Sequence, residues 1–163
     1  MTDWLSFAGI TGGAGAGLTG LIFIVVGLRF DTIAVSQEFR NRAAQSLTLF
    51  LTVTIVAALI TVPQPPRAFG IELVLVAFLS AIMLKVLDSA ALRVQTTRPN
   101  ARLQWALTAF IGCAVVGGLL LLLGARWGTY FYVASAVIGL VGGVNGAWIF
   151  LTRAGLEQEA EVK

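Results

Sequence analysis

Long stretches without any charged residue constrain the fold of this chain more than any other feature of its sequence. Four of them exceed twenty residues each, and they cover positions 4–28, 43–66, 103–125 and 127–152. A helix rises about 1.5 Å per residue, so about 20 apolar residues cross the roughly 30 Å hydrocarbon core of a bilayer. Each stretch therefore predicts one membrane-spanning helix.

The composition favours the same environment. Hydrophobic residues make up 58% of the 163 positions and charged residues 12%, whereas an ordinary soluble domain has roughly 45–50% and about 25%. So few charges cannot cover the apolar surface of a water-soluble fold, and helices satisfy their own backbone hydrogen bonds inside lipid. We predict an all-α integral membrane protein in which residues 1–163 form a single transmembrane domain.

A fifth candidate span has less apolar length, because Glu72 and Lys85 leave only positions 73–84 uncharged between them. Lys and Arg residues favour the cytoplasmic side of a membrane. If five spans cross with the N-terminus outside, only Arg67 and Arg126 of the 11 Lys and Arg residues lie outside, and without this span the better orientation leaves twice as many there. We therefore predict a five-helix bundle with the N-terminus outside and the C-terminus in the cytoplasm. The approximate spans are 6–28, 45–62, 70–87, 103–123 and 129–151.

Aromatic residues are consistent with this topology, since Trp and Tyr are enriched at both membrane interfaces. Trp4, Trp127, Tyr130 and Tyr132 fall near the outer interface, and Trp105 and Trp148 fall near the inner one.

The first apolar stretch is interpreted as a retained helix and not as a cleavable signal peptide. A signal peptide begins with a basic region, whereas positions 1–28 contain no Lys or Arg and carry Asp3. The prediction of five spans depends on this helix being kept.

The absence of histidine argues against most enzymes. With no His and one Cys, the chain has neither the usual ligands of a transition metal nor a Ser/His or Cys/His catalytic pair. The net charge of +3 comes from basic loops beside apolar segments, which indicates membrane orientation and not nucleic-acid binding. We predict no enzyme activity, catalytic residue, metal site or cofactor.

The connections predict several details of the helices. Ser36 caps a second helix that begins before the membrane, and the third helix runs past Lys85 toward Arg93. The short segment 124–128 predicts an antiparallel hairpin of the last two helices. The acidic tail 155–163 is predicted to fray.

Small residues recur every four positions in the first and last spans. In lipid such faces let helix backbones approach closely, and the spacing leaves open whether the contacts lie within one chain or between chains. The predicted helix-packing residues are Gly9, Gly13, Gly17, Gly20, Gly139, Gly142, Gly143 and Gly146.

Four polar residues are candidates for lining a path or a gate. Asn145 is a strongly polar amide inside a span, where the alternative is a structural hydrogen bond between helices. Lys85 and Asp88 are three residues apart and able to pair, with interface anchoring as the alternative. Glu72 is either an acidic outer mouth or a simple boundary charge.

Threonine hydroxyls in the second span are interpreted as structural. Hydroxyl groups in membrane helices commonly bond to the carbonyl oxygen four residues earlier. This interpretation applies to Thr48, Thr52, Thr54 and Thr61.

The string GLTGLIFIVVGLRFDTIAVSQEFRNRAAQSLTL at positions 17–49 resembles the opening of a family of small bacterial inner-membrane proteins of unassigned role. The shared features are a GLTGLIFV-type first helix, a short polar hinge at 29–33, and an entry to the second helix at 42–47. The resemblance implies a bacterial plasma membrane and no particular activity or site residue.

The sequence supports two functional hypotheses, because little of the chain lies outside the predicted spans. The first is a small homo-oligomeric membrane transport protein, either an ion channel or a small-solute carrier. The second is an accessory or regulatory subunit that binds a larger membrane complex. The expected partners are the lipid bilayer, further copies of the chain and a second membrane protein.

Overall fold

Five α-helices make up the part of the chain that the computed structural model describes, which is residues 4–28, 37–92 and 101–161. All five are long and apolar enough to cross a membrane, so the predicted all-helical fold with five helices of spanning length is confirmed. The helices are α1 Leu5–Leu28, α2 Gln37–Thr61, α3 Pro66–Leu92, α4 Ala101–Leu122 and α5 Gly128–Glu161.

The helix bounds agree with most of the sequence expectations. Helix α2 begins at Gln37, well before the apolar run, and α3 continues past Lys85 to Leu92, both as predicted. The proposed cap at Ser36 lies outside the described residues. The predicted fraying of the tail is wrong, because α5 remains helical through Glu161. No proline interrupts this segment, and the single Gly155 costs a helix only about 1 kcal/mol.

Helices α2, α3, α4 and α5 form a ring in which each packs against two neighbours: α2 on α3, α3 on α4, α4 on α5, and α5 back on α2. Successive helices run antiparallel, as in an up-down four-helix bundle. Helix α1 lies outside the ring, along α2, and touches α5 only lightly. The chain is thus a four-helix core with one peripheral helix.

The two ends of the bundle differ in the residues they carry. At one end, here called the Trp127 end, α1, α3 and α5 begin and α2 and α4 end. Three aromatic rings gather there: Tyr130 lies 5.3 Å from Trp4 and 5.8 Å from Trp127 between ring centroids. The opposite end carries Lys85 and the exposed Trp105, and is called the Lys85 end.

Large apolar side chains lie both inside and outside the bundle. The centre is filled by fully buried residues that include Phe50, Phe69 and Tyr132. A soluble monomer rarely exposes large continuous apolar patches, yet here the outward faces carry Phe78, 62% exposed, and Val141, 64% exposed. Apolar surface of this extent suits the hydrocarbon of a bilayer.

Glycine brings the backbones of α3 and α4 into contact. A Cβ atom added to Gly70 would lie 2.8 Å from the carbonyl oxygen of Gly118, and one added to Gly118 would lie 2.9 Å from that of Gly70. On the other side of α4, a Cβ on Gly117 would lie 2.9 Å from the carbonyl oxygen of Gly128 in α5. Real Cβ atoms do not approach this closely, so these positions exclude larger residues.

The turn between α4 and α5 closes the predicted hairpin through a glycine in the left-handed conformation. Gly124 has φ = 83°. Its amide donates to the carbonyl oxygen of Leu121 at 3.0 Å, and the amide of Ala125 donates to that of Leu120 at 2.8 Å. These two bonds form a Schellman motif, which satisfies carbonyl groups at the end of α4.

Replacing Gly124 by Ala is expected to destabilise the protein by about 1–2 kcal/mol, because an L-residue is strained at this positive φ. Gly112→Ala is the matched control: a Cβ at Gly112 meets no atom within 4 Å, and alanine favours helix by up to about 1 kcal/mol. Reversible unfolding in detergent measures the free energy of unfolding of both variants. Equal stability of the two variants would contradict the assigned turn.

Candidate functional site

The structure does not gather the four polar residues singled out from the sequence into one place. Asn145 is exposed on the outer surface of α5. Glu72 is half-buried near the Trp127 end, where its Oε2 accepts a hydrogen bond of 2.7 Å from Gln64 Nε2. Lys85 is exposed and Asp88 half-buried at the opposite end. These four residues therefore do not line a common path through one chain.

Lys85 and Asp88 do share one feature, an open cleft of about 500 Å³ between α3 and α4 at the Lys85 end. Within the described parts of the chain neither side chain has an ion-pair partner, so the pairing that their spacing allows is not formed. Gln104 and Thr108 of α4 line the same cleft.

A different set of polar residues lies inside the ring. Four polar side chains of α2 are buried, and α3 and α5 each contribute a buried serine. The five of them that line two small voids or bond to a residue that does are here called the polar line: Gln45, Ser46, Thr52, Ser80 and Ser135. The buried Asn41 lies one turn before Gln45, and its Nδ2 has no hydrogen-bond acceptor in the described structure.

The polar line is hydrogen-bonded across α2 and α3. Thr52 donates to the carbonyl oxygen of Thr48 at 2.6 Å, as expected from the sequence. Its Oγ1 also lies 2.7 Å from Ser80 Oγ. Because a threonine hydroxyl has one hydrogen and Thr52 directs it to its own backbone, Ser80 is the donor in the bond between the two helices.

Two further hydroxyl groups join α5 to its neighbours. Ser135 donates to the carbonyl oxygen of Phe110 in α4 at 3.0 Å. The hydroxyl of Thr11 in α1 donates to the carbonyl oxygen of Phe7 at 2.9 Å. Because this uses its one hydrogen, the Tyr132 phenol is the donor in the 3.5 Å contact between the two side chains. Each of these bonds connects a different pair of helices.

Small voids lie along the polar line. One of about 10 Å³ is lined by Thr52 and Ser135, and another of about 10 Å³ is lined by Gln45 and Ser46. Each has the size needed for one water molecule. Val53 lines the first void and Leu49 the second, and both side chains are almost fully buried, so apolar packing separates the voids in this conformation.

Glycines of α5 make room for this packing. The ring of Phe50 lies directly against Gly143, where a Cβ would overlap it. A Cβ on Gly139 would lie 2.7 Å from Phe110 Cε2, and one on Gly146 would lie 2.8 Å from Ser46 Oγ. Gly142 is looser, with its nearest neighbour at 3.8 Å. The four glycines predicted on α5 thus face α2 and α4.

The four glycines predicted on α1 have a different environment. A Cβ added to Gly9, Gly13, Gly17 or Gly20 meets no atom within 4 Å. Helix α1 instead uses Gly12, which faces Ala57, and Gly15, which faces Thr54 and the backbone of Phe50. The four predicted glycines thus make no close contact within the described chain, and α1 meets α2 through Gly12 and Gly15 instead.

Sequence reasoning missed the polar line and the glycine contacts of α4. Gln45 and Ser46 lie near the charged entry of α2, where polar residues are unremarkable in a sequence. The signal that was available is the four-residue spacing of Asn41 and Gln45, which places two amides on one helix face. Gly117 and Gly118 have no glycine four residues away in their own helix, and the residues that they contact lie in α5 and α3.

The interhelical bond between Thr52 and Ser80 is expected to contribute about 0.6 kcal/mol and at most about 1.7 kcal/mol, as other hydrogen bonds between membrane helices do. A double-mutant cycle with Thr52→Val and Ser80→Ala in detergent unfolding measures it. Thr61→Val is the control, since the exposed Thr61 hydroxyl bonds only within α2. A coupling energy of zero would refute the assigned bond.

Comparison of the chain with protein-family models, with curated proteins and with solved structures finds no match. Its function is therefore inferred from its own residues and their arrangement.

Proposed function

We propose that the protein is a small transport protein of the bacterial plasma membrane that works as a homo-oligomer and conducts a small polar solute. In this proposal the N-terminus is outside the cell, the C-terminus is in the cytoplasm, and the Lys85 end faces the cytoplasm. The positive-inside distribution of Lys and Arg supports this orientation.

The observation that carries the proposal is the polar line through the interior of the ring. Packing between helices in lipid needs few polar groups, and polar side chains that face a bundle interior commonly mark a solute or ion pathway. From Gln45 to Thr52 the line follows α2 for seven residues, roughly 10 Å. It continues through Ser80 and Ser135 on two other helices of the ring.

The chemistry of the line favours a small polar solute. Its hydroxyl and amide groups donate and accept hydrogen bonds, and none of its five members carries a charge. The two single-water voids correspond to a closed conformation, and passage requires Leu49 and Val53, which line one void each, to move. The unpaired Nδ2 of Asn41 supplies a donor for a solute that enters at the Lys85 end.

Solute flux in proteoliposomes tests the proposal. Water, glycerol and urea movement is followed by stopped-flow light scattering, and K⁺ and proton movement by entrapped dyes. Thr52→Val combined with Ser80→Ala is expected to slow flux about tenfold or more, because removing hydrogen-bonding groups raises a barrier by about 1–3 kcal/mol. Thr61→Val combined with Thr108→Val is the control, since both hydroxyls are exposed.

Asn145→Leu separates two routes in the same assay, because Asn145 is exposed in a single chain and would line a path only between subunits. Loss of flux in this variant alone would move the path to a subunit interface and refute the role of the polar line. Absence of flux through the unmodified protein for every solute and ion tested would refute transport.

The proposed orientation predicts a labelling pattern for single cysteines in a Cys113→Ala background. Val62→Cys, exposed in the connection after α2, should react with a membrane-impermeant maleimide on intact cells. Ser89→Cys, exposed near the other end, should react only after permeabilisation. The reverse pattern would invert the topology.

The exposed glycine face of α1 favours a second candidate function, an accessory subunit of a larger membrane complex. Gly13→Leu combined with Gly17→Leu leaves the ring untouched, because both positions are open, but should release a partner helix that packs there. Gly112→Leu is the control. Masses of complexes extracted in native lipid distinguish a homo-oligomer from a complex with another protein. An unchanged mass in the double variant would show that neither further copies of the chain nor another protein binds at this face.

A further inference from the structure

The cleft between α3 and α4 is a different cavity from the two voids of the polar line, although Leu107 lines both the cleft and the void beside Gln45 and Ser46. The cleft opens at the Lys85 end and has a volume of about 500 Å³. Along α4 it extends from Gln104 to Gly112, which is about 12 Å of helix length. Lys85, Gln104 and Gly112 are exposed, so the surroundings of the bundle have direct access to it.

The lining of the cleft is divided into a polar part and an apolar part. The apolar part contains Ala81, Leu84, Leu107 and Ile111, and the polar part contains Lys85, Asp88, Gln104 and Thr108. Lys85, Asp88 and Gln104 lie nearest the Lys85 end, Ala81, Leu84 and Ile111 lie farther from it, and Leu107 and Thr108 lie between the two groups. This arrangement matches a molecule with a polar head and an apolar chain.

The charges on the polar part are opposite and unpaired. Lys85 and Asp88 are three residues apart, about 4.5 Å along the helix axis, and neither forms an ion pair within the described part of the chain. A lysine ammonium binds phosphate as a point charge, and a carboxylate accepts hydrogen bonds from an ammonium group. Together they complement a headgroup that carries a phosphate next to a primary amine.

We propose that this cleft binds one phospholipid with a primary-amine headgroup of the phosphatidylethanolamine type. The phosphate lies at the Lys85 ammonium and the headgroup ammonium at the Asp88 carboxylate. An acyl chain lies along Leu84, Leu107 and Ile111. The proposal requires insertion in a membrane and does not depend on solute transport through the polar line.

Native mass spectrometry of the purified protein in a neutral detergent tests this site. The protein is titrated with phosphatidylethanolamine, phosphatidylcholine and phosphatidylglycerol in parallel. The quaternary ammonium of phosphatidylcholine has no N–H to donate and phosphatidylglycerol has no amine. A charge-assisted hydrogen bond of about 1.4 kcal/mol corresponds to tenfold, so phosphatidylethanolamine is expected to be retained about tenfold more tightly than either.

Variants assign the two ends of the headgroup. Asp88→Asn should remove the preference for phosphatidylethanolamine over phosphatidylcholine, and Lys85→Gln should weaken all three lipids. Arg67→Gln and Glu72→Gln are the controls, because each removes one charge near the opposite end of α3. Neither should alter the preference among the lipids or the strength of their binding. A preference for phosphatidylethanolamine over phosphatidylcholine that persists in Asp88→Asn would overturn the assignment of the ammonium.

Filling the cleft tests the acyl-chain part of the proposal. Gly112 lines the cleft and has space for a side chain, so Gly112→Leu should fold normally and reduce retention of every phospholipid. Gly27→Leu is the control, at an exposed glycine of α1 with no atom within 4 Å of an added Cβ. Unchanged retention in a folded Gly112→Leu variant would refute the cleft as the site.

Soluble glycerophosphoethanolamine separates a lipid site from a site for a free phosphate ester. It carries the same headgroup without acyl chains and is expected not to compete at concentrations that saturate the lipid. Competition at equal concentration would refute the lipid and assign the cleft to a water-soluble phosphate-amine compound.

Discussion

Helices α3 and α4 touch backbone to backbone at Gly70 and Gly118, and the rest of the ring is arranged around this contact. In lipid, apolar side chains gain little by leaving the hydrocarbon, so helix association depends on close packing and on hydrogen bonds between helices. Gly117 and Gly128 hold α4 equally close to α5. With α4 fixed between its neighbours, α2 closes the ring by fitting Phe50 against Gly143.

Closure of the ring has a consequence for the polar residues of α2. Thr52 and its neighbours would be costly on a surface that faces hydrocarbon, whereas inside the ring they bond to Ser80 and to their own backbone. Among the described residues, the side-chain hydrogen bond between α1 and the ring is that of Thr11 with Tyr132. The functional proposal therefore assigns the path to the four-helix core and leaves α1 for contacts with other chains.

Much of the fold was predictable because membrane helices are defined by length and charge. The uncharged stretches predicted four helices, and the charge distribution favoured a fifth span over 70–87, where the structure has a helix of spanning length, α3. The short segment around Gly124 predicted the last hairpin, and its left-handed glycine explains why so few residues suffice. The acidic tail was the exception, since α5 continues to Glu161.

The arrangement of helix faces was not predictable from one sequence. Helix α1 is apolar all round, so nothing in its pattern distinguishes Gly12, which meets α2, from Gly13, which is exposed. Asn145 follows the buried Gly143 by two residues and points away from the ring, and hydropathy does not reveal such a rotation. Contacts between different helices, such as that of Gly70 with Gly118, do not follow from the spacing of residues within one helix.

Disulfide cross-linking in native membranes tests the central claim, a ring of α2–α5 with Thr52 and Ser80 facing each other inside it. In a Cys113→Ala background, Thr52→Cys with Ser80→Cys should form an intrachain disulfide under mild oxidation, because the two hydroxyl oxygens are 2.7 Å apart. Thr52→Cys with Leu79→Cys should not, since Leu79 is 65% exposed on another face of α3. A cross-link in the second pair and none in the first would contradict this arrangement of the bundle.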